Sequence, residues 1–217
     1  ALKANSTLHR KLFQVEFLVS LSGDLLVTLI YHRQLDQSWE NAAQVLVTEL
    51  QFLARSVSVV GRSRKQKVVI GKDFVQEVFS IHGEEYHYRQ YEQSFSQPNG
   101  LVNRCMIEWA CERASTLQGD LLELYCGNGN FTLPLSRHFN HVIATEMSKA
   151  SIRAAHANLV ENGIENVQLV RLSANEAAQA MSSVRTFRRL SGLPKPLDQF
   201  ELKVLFVMLR RPPRATR

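Results

Sequence analysis

From Asp120 onward the chain alternates strand-like and helix-like segments, and this alternation constrains the fold more than any other feature. Apolar runs at 121–125, 141–145 and 167–172 predict strands. Segments with helical periodicity follow each of these runs, at 131–137, 148–162 and 175–184, and a last apolar run covers 203–207. Strands separated by helices pair in parallel, so the sequence predicts an α/β fold with a doubly wound parallel sheet.

The first ninety residues have a different pattern. Two segments with strand periodicity, 13–17 and 24–31, flank Ser22-Gly23 and predict a β-hairpin. An apolar stripe from Trp39 to Leu53 follows a capping segment at Asp36 and predicts an amphipathic helix. Two further strands are predicted at 57–60 and 68–70, and one or two more within the polar and aromatic stretch 81–96. These elements predict a small α+β domain.

Pro98 marks the predicted boundary between the two patterns, because proline forces the residue before it out of helical geometry. We therefore predict an α+β domain at 1–93 and an α/β domain at 94–207. A helix is expected to begin near Leu101, with Cys105, Ile107 and Trp109 on its apolar face.

Composition excludes several classes of protein. The 217 residues are 45% hydrophobic and 21% charged, which is typical of a globular protein and not of a disordered one. No apolar run approaches the ~18 residues that a membrane helix needs, and the first residues lack the zones of a signal peptide, so we expect a cytoplasmic protein. The three cysteines have no metal-site spacing and are expected to be reduced thiols, with no metal bound.

The net charge of +6 is concentrated in two places. Four arginines and no acid lie in 208–217. Four more cations lie in 61–67, Gly-Arg-Ser-Arg-Lys-Gln-Lys, between two predicted strands. This second cluster is either a loop that contacts phosphates or the solvated tip of a hairpin.

Ligands of open parallel sheets bind at the carboxyl ends of the strands, and the first such turn here contains Gly127 and Gly129. Two glycines at this spacing let the backbone bend sharply and approach a ligand. The third glycine of a dinucleotide-binding loop is missing, because position 132 is threonine. A generic tight turn is the alternative interpretation.

Glu146 ends the next predicted strand, seventeen residues after Gly129. A carboxylate there can accept hydrogen bonds from both hydroxyls of a ribose. Its alternative role is that of an acid at the start of a helix. A cofactor without phosphates needs the glycine turn and the ribose acid but no third glycine, so the pair favours S-adenosylmethionine over NAD.

Several segments at consistent spacing carry a specific resemblance: 10–14, 29–32, 94–99 (Ser-Phe-Ser-Gln-Pro-Asn), 121–131 (Leu-Leu-Glu-Leu-Tyr-Cys-Gly-Asn-Gly-Asn-Phe) and 144–146. Over about residues 8–207 the chain resembles the TrmA-type tRNA (uracil-5-)-methyltransferases. The resemblance implies a partial Rossmann-like S-adenosylmethionine domain preceded by an RNA-binding domain. It also implies methylation of uracil carbon 5 in the T loop of tRNA. We expect a monomer.

The resemblance also implies roles for individual residues. The family's cofactor contacts fall on Gln97, Tyr125, Gly127, Gly129, Asn130 and Glu146. An aromatic residue and a histidine that contact RNA fall on Phe13 and His32. Phe13 could instead be a core strand residue and His32 a surface histidine.

The family's catalytic cysteine attacks carbon 6 of uracil, and a carboxylate base later removes the carbon 5 proton. The resemblance places both residues beyond residue 217, and places part of the family's N-terminal region before residue 1. We therefore expect this chain not to methylate. Cys126 is predicted to face the cofactor or the sheet and not the uracil, and Cys105 and Cys111 are predicted to be packing residues.

The resemblance breaks after the strand at 204–207, where the family continues Asp-Pro-Pro-Arg. Depending on the alignment, Met208 or Arg211 occupies the position of the acid, so 208–217 is predicted to be a foreign tail. Two other functions remain open: a 23S rRNA uracil-5 methyltransferase and a non-catalytic RNA-binding module.

Overall fold

The computed structural model describes residues 2 and 5–207, so the predicted foreign tail lies outside the described residues. The helices are α1 Ser6–His9, α2 Gln37–Leu50, α3 Gly100–Ala114, α4 Thr132–Leu135, α5 Lys149–Glu161 and α6 Ala174–Met181. The strands are β1 Leu12–Val19, β2 Asp24–Tyr31, β3 Ser56–Ser63, β4 Gln66–Ile70, β5 Phe74–Ile81, β6 Glu84–Tyr91, β7 Asp120–Leu124, β8 Val142–Thr145, β9 Val167–Val170 and β10 Leu202–Val207.

The chain divides into two compact units. Unit 1 comprises Ala1–Val78 and Tyr88–Gly100, and unit 2 comprises Phe79–His87 and Leu101–Arg217. The predicted division into folding domains at 1–93 and 94–207 remains a prediction.

Unit 1 contains a four-stranded sheet of order β1-β2-β3-β4. The predicted first hairpin is present: β1 and β2 pair in antiparallel fashion, with Val19 opposite Leu25 beside the turn. β2 pairs with β3 in parallel, and β3 returns to β4 through a tight turn at Arg64-Lys65. The connection from β2 to β3 crosses over through α2, as a parallel pair requires.

The predicted amphipathic helix of unit 1 is α2. The carboxylate of Asp36 accepts a hydrogen bond from the Trp39 amide at 3.0 Å, which caps the helix start. Trp39 and Leu46 are buried in the core over the sheet. The predicted stripe extends too far, because the α-helix ends at Leu50 and the next turn is a 3-10 turn that leaves Leu53 exposed.

Gly61 of β3 lies directly under the indole ring of Trp39. A methyl group at this position would come within 2.6 Å of Leu35 Cδ1 and closer still to the indole. We expect Gly61→Ala to lower the free energy of unfolding by about 1–3 kcal/mol, the usual cost of overpacking a core. Urea denaturation measures the change. Gly192→Ala is the matched control, because no atom lies within 4 Å of its added methyl group, and equal losses in the two variants would contradict the packing argument.

β5 and β6 form a two-stranded sheet of their own. The stretch 81–96 was expected to contain one or two strands, and β6 lies there, but β5 was not predicted. Its alternating buried positions include Glu77, whose carboxylate accepts hydrogen bonds from the Leu21 amide at 3.0 Å and the Ser22 hydroxyl at 3.1 Å. The strand was not predicted because Glu77 interrupts the alternation of apolar and polar residues that is typical of a strand.

Unit 2 contains the predicted parallel sheet, with strand order β10-β7-β8-β9. β7 comes first in the chain among the strands of this sheet, and it lies between β8 and β10. Its five residues are all buried. The strand order therefore reverses between β7 and β10. In open α/β sheets the ligand crevice lies at this reversal, beyond the carboxyl ends of the strands. The α/β, Rossmann-like fold is confirmed for this unit.

The predicted helix after Pro98 is α3, but its buried face differs from the prediction. The buried positions are Asn103, Ile107, Ala110, Cys111 and Ala114. Trp109 is 60% exposed and Cys105 is also exposed, so the packing role predicted for Cys105 is wrong. Cys105 and Cys111 are six residues apart, which places them on different faces of a helix.

Within residues 2 and 5–207, no helix combines the length and apolarity needed to cross a membrane. In the same residues, no cluster of three or more histidine, cysteine or acidic side chains is arranged to hold a metal ion.

Candidate cofactor and RNA sites

The glycine loop follows β7 at the reversal of the strand order. Tyr125, Gly127 and Gly129 all have positive φ angles, of 61°, 59° and 88°. This conformation is ordinary for glycine but rare for a bulky residue such as tyrosine, and such strain concentrates at functional sites. A side chain on Gly129 would meet Leu133 Cδ1 at 2.7 Å, whereas one on Gly127 would meet no atom within 4 Å. Gly129 therefore packs against the following helix, and Gly127 borders open space.

Glu146 faces this loop from the end of β8. Its Oε2 accepts a hydrogen bond from the Gly127 amide at 3.2 Å. Its Oε1 accepts hydrogen bonds from the amides of Met147 and Ser148, both at 2.7 Å. These two bonds belong to the alternative role of a helix-start acid, because α5 begins directly afterwards. A carboxylate offers about four lone pairs, so Oε2 can still accept a bond from a ligand hydroxyl.

Asn130 is oriented by a second asparagine that the sequence analysis did not identify. The two side-chain amides of Asn130 and Asn103 exchange a pair of hydrogen bonds, at 2.8 and 2.9 Å. Asn103 lies on the buried face of α3 with 2% exposure. The pair fixes the orientation of the Asn130 side-chain amide.

Asn158 is another positioning residue that the sequence analysis missed. It is fully buried in α5, and its Nδ2 donates to the carbonyl of Asn128 in the glycine loop at 3.0 Å. For both Asn103 and Asn158, the sequence signal was a single asparagine on an otherwise apolar helix face. A buried side-chain amide needs a hydrogen-bond partner, so such an asparagine indicates a specific contact.

Two cysteines of unit 2, Cys111 and Cys126, are buried. Cys126 lies under the glycine loop, 4% exposed, and burial raises the pKa of its thiol well above the usual range. Burial likewise raises the pKa of Cys111, to about 11. Neither thiol forms a thiolate near neutral pH, so neither is suited to attack a pyrimidine.

Gln97 lies in unit 1, in the irregular segment between β6 and α3, and is partly exposed. The glycine loop belongs to unit 2. The cofactor role of Gln97 stays a prediction.

The two predicted RNA contacts come together in unit 1. The rings of Phe13 and His32 have centroids 4.5 Å apart and planes inclined at 56°. The register of β1 against β2 shifts between Leu12 and Gln14, which marks a β-bulge at Phe13. Bulges redirect side chains, and here the Phe13 ring is 64% exposed, so the alternative of a core residue is wrong. His32 is exposed beside it.

The basic cluster at 61–67 separates into two kinds of cation. Arg62 and Lys67 are both bound to the buried carboxylate of Glu92, and Lys67 Nζ also lies 2.7 Å from Asp73 Oδ2. Burial alone would raise the pKa of Glu92, but its bonds to these two cations lower it, so the carboxylate is charged. Arg64 and Lys65 form the exposed turn, and neither has an ion pair within the described residues.

Relatives of known name match almost the entire chain. The chain is 52% identical over 214 residues to a tRNA/tmRNA (uracil-C(5))-methyltransferase of Aromatoleum aromaticum and 50% identical to the protein of that name from Acinetobacter baylyi. Each match covers 99% of this chain but 55% and 57% of the relative, so the chain spans little more than half the length of these relatives.

A solved structure shares the fold at low sequence identity. It is the Pyrococcus abyssi tRNA (uracil-54, C5)-methyltransferase in complex with S-adenosyl-L-homocysteine. The match has a TM-score of 0.55 and 16% identity, and it covers 73% of this chain and 38% of that one.

A protein family matches a longer part of the chain than residues 8–207, the range over which the sequence motifs show the resemblance. Residues 1–216 match the family described as tRNA (uracil-5-)-methyltransferase. Together with relatives that are about half identical, this match confirms the resemblance: the chain belongs to the tRNA (uracil-5-)-methyltransferase family.

Proposed function

We propose that this chain binds S-adenosylmethionine and tRNA for the methylation of carbon 5 of a uracil in the T loop of tRNA, with S-adenosylmethionine as the methyl donor. Family membership and the names of the relatives support the reaction and the substrate. The observation that carries the cofactor assignment is the 3.2 Å hydrogen bond from the Gly127 amide to Glu146, which brings the ribose acid to the glycine loop.

The residues of the loop fit S-adenosylmethionine, which supplies a methyl group on a positively charged sulfur. Glu146 Oε2 would accept a hydrogen bond from the ribose, and the open space beside Gly127 admits the ligand close to the backbone. The ring of Tyr125 is 48% exposed and offers an apolar face to the cofactor. Asn130, held by Asn103, would hydrogen-bond the amino-acid part, and we keep Gln97 as a further contact. No third glycine is required, because this cofactor has no pyrophosphate to bind.

We propose that residues 1–93 form the RNA-binding domain and that Phe13 and His32 contact the T loop. An enzyme that modifies a base must take it out of its stack, and exposed aromatic rings replace the lost stacking. The tilted Phe13–His32 pair supplies two such rings side by side. The T arm as target, a monomeric state and a cytoplasmic location belong to this proposal.

Isothermal titration of this chain with S-adenosylhomocysteine tests the cofactor assignment. We expect saturable binding with one site per chain. The absence of binding would favour the alternative of a non-catalytic RNA-binding module. Anisotropy with unmodified tRNA, tmRNA and 23S rRNA transcripts tests the substrate class, and preference for the rRNA transcript would contradict the tRNA assignment.

A further inference from the structure

A groove of about 800 Å³ lies in unit 1 beside the Phe13–His32 pair. Its two walls are the end of β2 with the residues after it, and the turn between β3 and β4. The lining residues are Tyr31, His32, Arg33, Gln34, Ser63, Arg64, Lys65 and Gln66. We propose that this basic groove binds a phosphodiester of the RNA backbone, with Arg64 and Lys65 as its contacts. The inference rests on the proposed function, because it concerns the RNA whose bases would contact Phe13 and His32.

The distribution of ion pairs selects Arg64 and Lys65 from the neighbouring cations. Arg62 and Lys67, on either side of the turn, are both bound to Glu92. Arg64 and Lys65 are exposed and have no ion pair within the described residues. When a cation neutralises a phosphate, condensed counterions are released from the RNA, and this release favours binding. The gain is largest for a cation that does not first have to break an ion pair with an acidic side chain.

The third cation of the groove, Arg33, has a structural role. Its guanidinium donates hydrogen bonds to the carbonyls of Thr7 at 2.7 Å, Arg10 at 3.1 Å and Gln34 at 3.0 Å. These bonds join the segment before β1 to the end of β2. Arg33 therefore shapes the groove, and the two turn residues remain as the cations that can contact a ligand.

The turn is held against the opposite wall before any ligand binds. The Gln66 side chain accepts a hydrogen bond from the Leu35 amide at 2.9 Å and donates one to the Leu35 carbonyl at 2.8 Å. The Ser63 hydroxyl also donates to the Arg33 carbonyl. A preformed groove reduces the entropy that is lost when a ligand binds.

His32 links the groove to the aromatic pair, because it lines the groove and also packs against Phe13. One RNA segment could therefore place a base against the rings and its adjoining phosphate against the turn. Phosphate contacts fix the position of a nucleic acid, and base contacts specify its sequence. The groove would thus position the loop that the aromatic pair recognises.

The test measures the affinity of this chain for an unmodified tRNA transcript between about 50 and 200 mM salt, where phosphate contacts are strongly salt-dependent. The variant is Arg64→Gln with Lys65→Asn, since asparagine tolerates the positive φ of 60° found at Lys65. We expect binding about tenfold weaker at 100 mM salt, and a slope of log Kd against log salt that is smaller by about 2, one for each phosphate contact.

Three controls make the result specific. Arg64→Lys with Lys65→Arg keeps both charges and should retain the wild-type affinity and slope. Arg185→Gln with Arg188→Gln removes two exposed charges from unit 2 and should change the slope less than the turn variant does. Phe13→Ala should weaken binding with the slope unchanged. An unchanged melting temperature shows that each variant is folded.

The possible results separate the two proposals. If wild type binds tRNA and the turn variant binds with the same affinity and slope, the phosphate assignment is wrong while the proposed function stands. If the charge-preserving variant loses as much affinity as the charge-removing one, the groove acts through shape and the assignment is also wrong. If the wild-type chain binds no tRNA, both the groove and the proposed RNA-binding domain are contradicted.

Discussion

Replacing Glu146 with glutamine is expected to weaken the binding of S-adenosylhomocysteine by about 100-fold, or about 2.7 kcal/mol. Hydrogen bonds to a charged group contribute about 1.5–3 kcal/mol each, and the variant loses the charge. Glutamine also has one acceptor oxygen where glutamate has two. Its NH₂ group would face either the Gly127 amide or the amides of Met147 and Ser148, all of which are donors. Isothermal titration measures the change.

A ligand without ribose hydroxyls separates the cofactor role of Glu146 from its role at the start of α5. Titration of wild type and variant with S-adenosylhomocysteine and its 2′,3′-dideoxy analogue forms a double-mutant cycle. If Glu146 binds the ribose, removing the hydroxyls weakens binding to wild type but has little further effect on the variant. Equal losses in both proteins would assign Glu146 to the helix alone. Glu165→Gln, at an exposed position of unit 2, is the matched control.

The elements that carry the candidate cofactor site could be predicted because their signals are local. Strand, glycine turn, helix and second strand follow one another within 27 residues, from Asp120 to Glu146, and local periodicity with turn chemistry determines each of them. Because ligands of an open α/β sheet bind at the carboxyl ends of its strands, Glu146 and Gly127 are expected at the same end of the sheet. The structure adds the distance between them, 3.2 Å.

The features that were missed depend on contacts between distant parts of the chain. Glu77 is buried because Leu21 and Ser22, more than fifty residues earlier, supply its hydrogen bonds. In the sequence, Arg62 and Lys67 belong to an apparently uniform basic cluster, but both side chains bind Glu92, which lies thirty residues after Arg62. Sequence periodicity contains no information about such partners. The partners of buried polar groups therefore cannot be predicted from a single sequence.

Replacing Glu123 is expected to have a large effect on the pH dependence of stability, because this residue carries a carboxyl group in the centre of an apolar sheet. It lies in β7 just before the glycine loop, is 2% exposed, and its Oε2 has no hydrogen-bond partner within the described residues. Burial raises the pKa of this carboxyl from 4.5 to about 7, and a hydrogen bond with Thr132 lowers it by a smaller amount. The folded state therefore holds this proton over a pH range in which the unfolded chain has already released it.

The sign of the pH dependence follows from this difference. Between pH 4.5 and 7 the folded chain binds more protons than the unfolded one, so the free energy of unfolding falls as the pH rises, by about 3 kcal/mol in total. Below pH 4.5 both states are protonated, and above pH 7 both are ionised, so the contribution is constant outside this range. Glutamine has nearly the same shape and no charge at any pH.

Glu123→Gln is therefore expected to match wild type in stability near pH 4.5 and to exceed it by about 3 kcal/mol near pH 8. Urea denaturation of both proteins at a series of pH values gives the difference between their free energies of unfolding. All other titrating groups contribute equally to the two proteins, so their contributions cancel in this difference. Glu165→Gln, at an exposed position, should run parallel to wild type throughout. If Glu123→Gln also ran parallel to wild type, the Glu123 carboxyl would have to titrate as it does in the unfolded chain, and burial could not be raising its pKa.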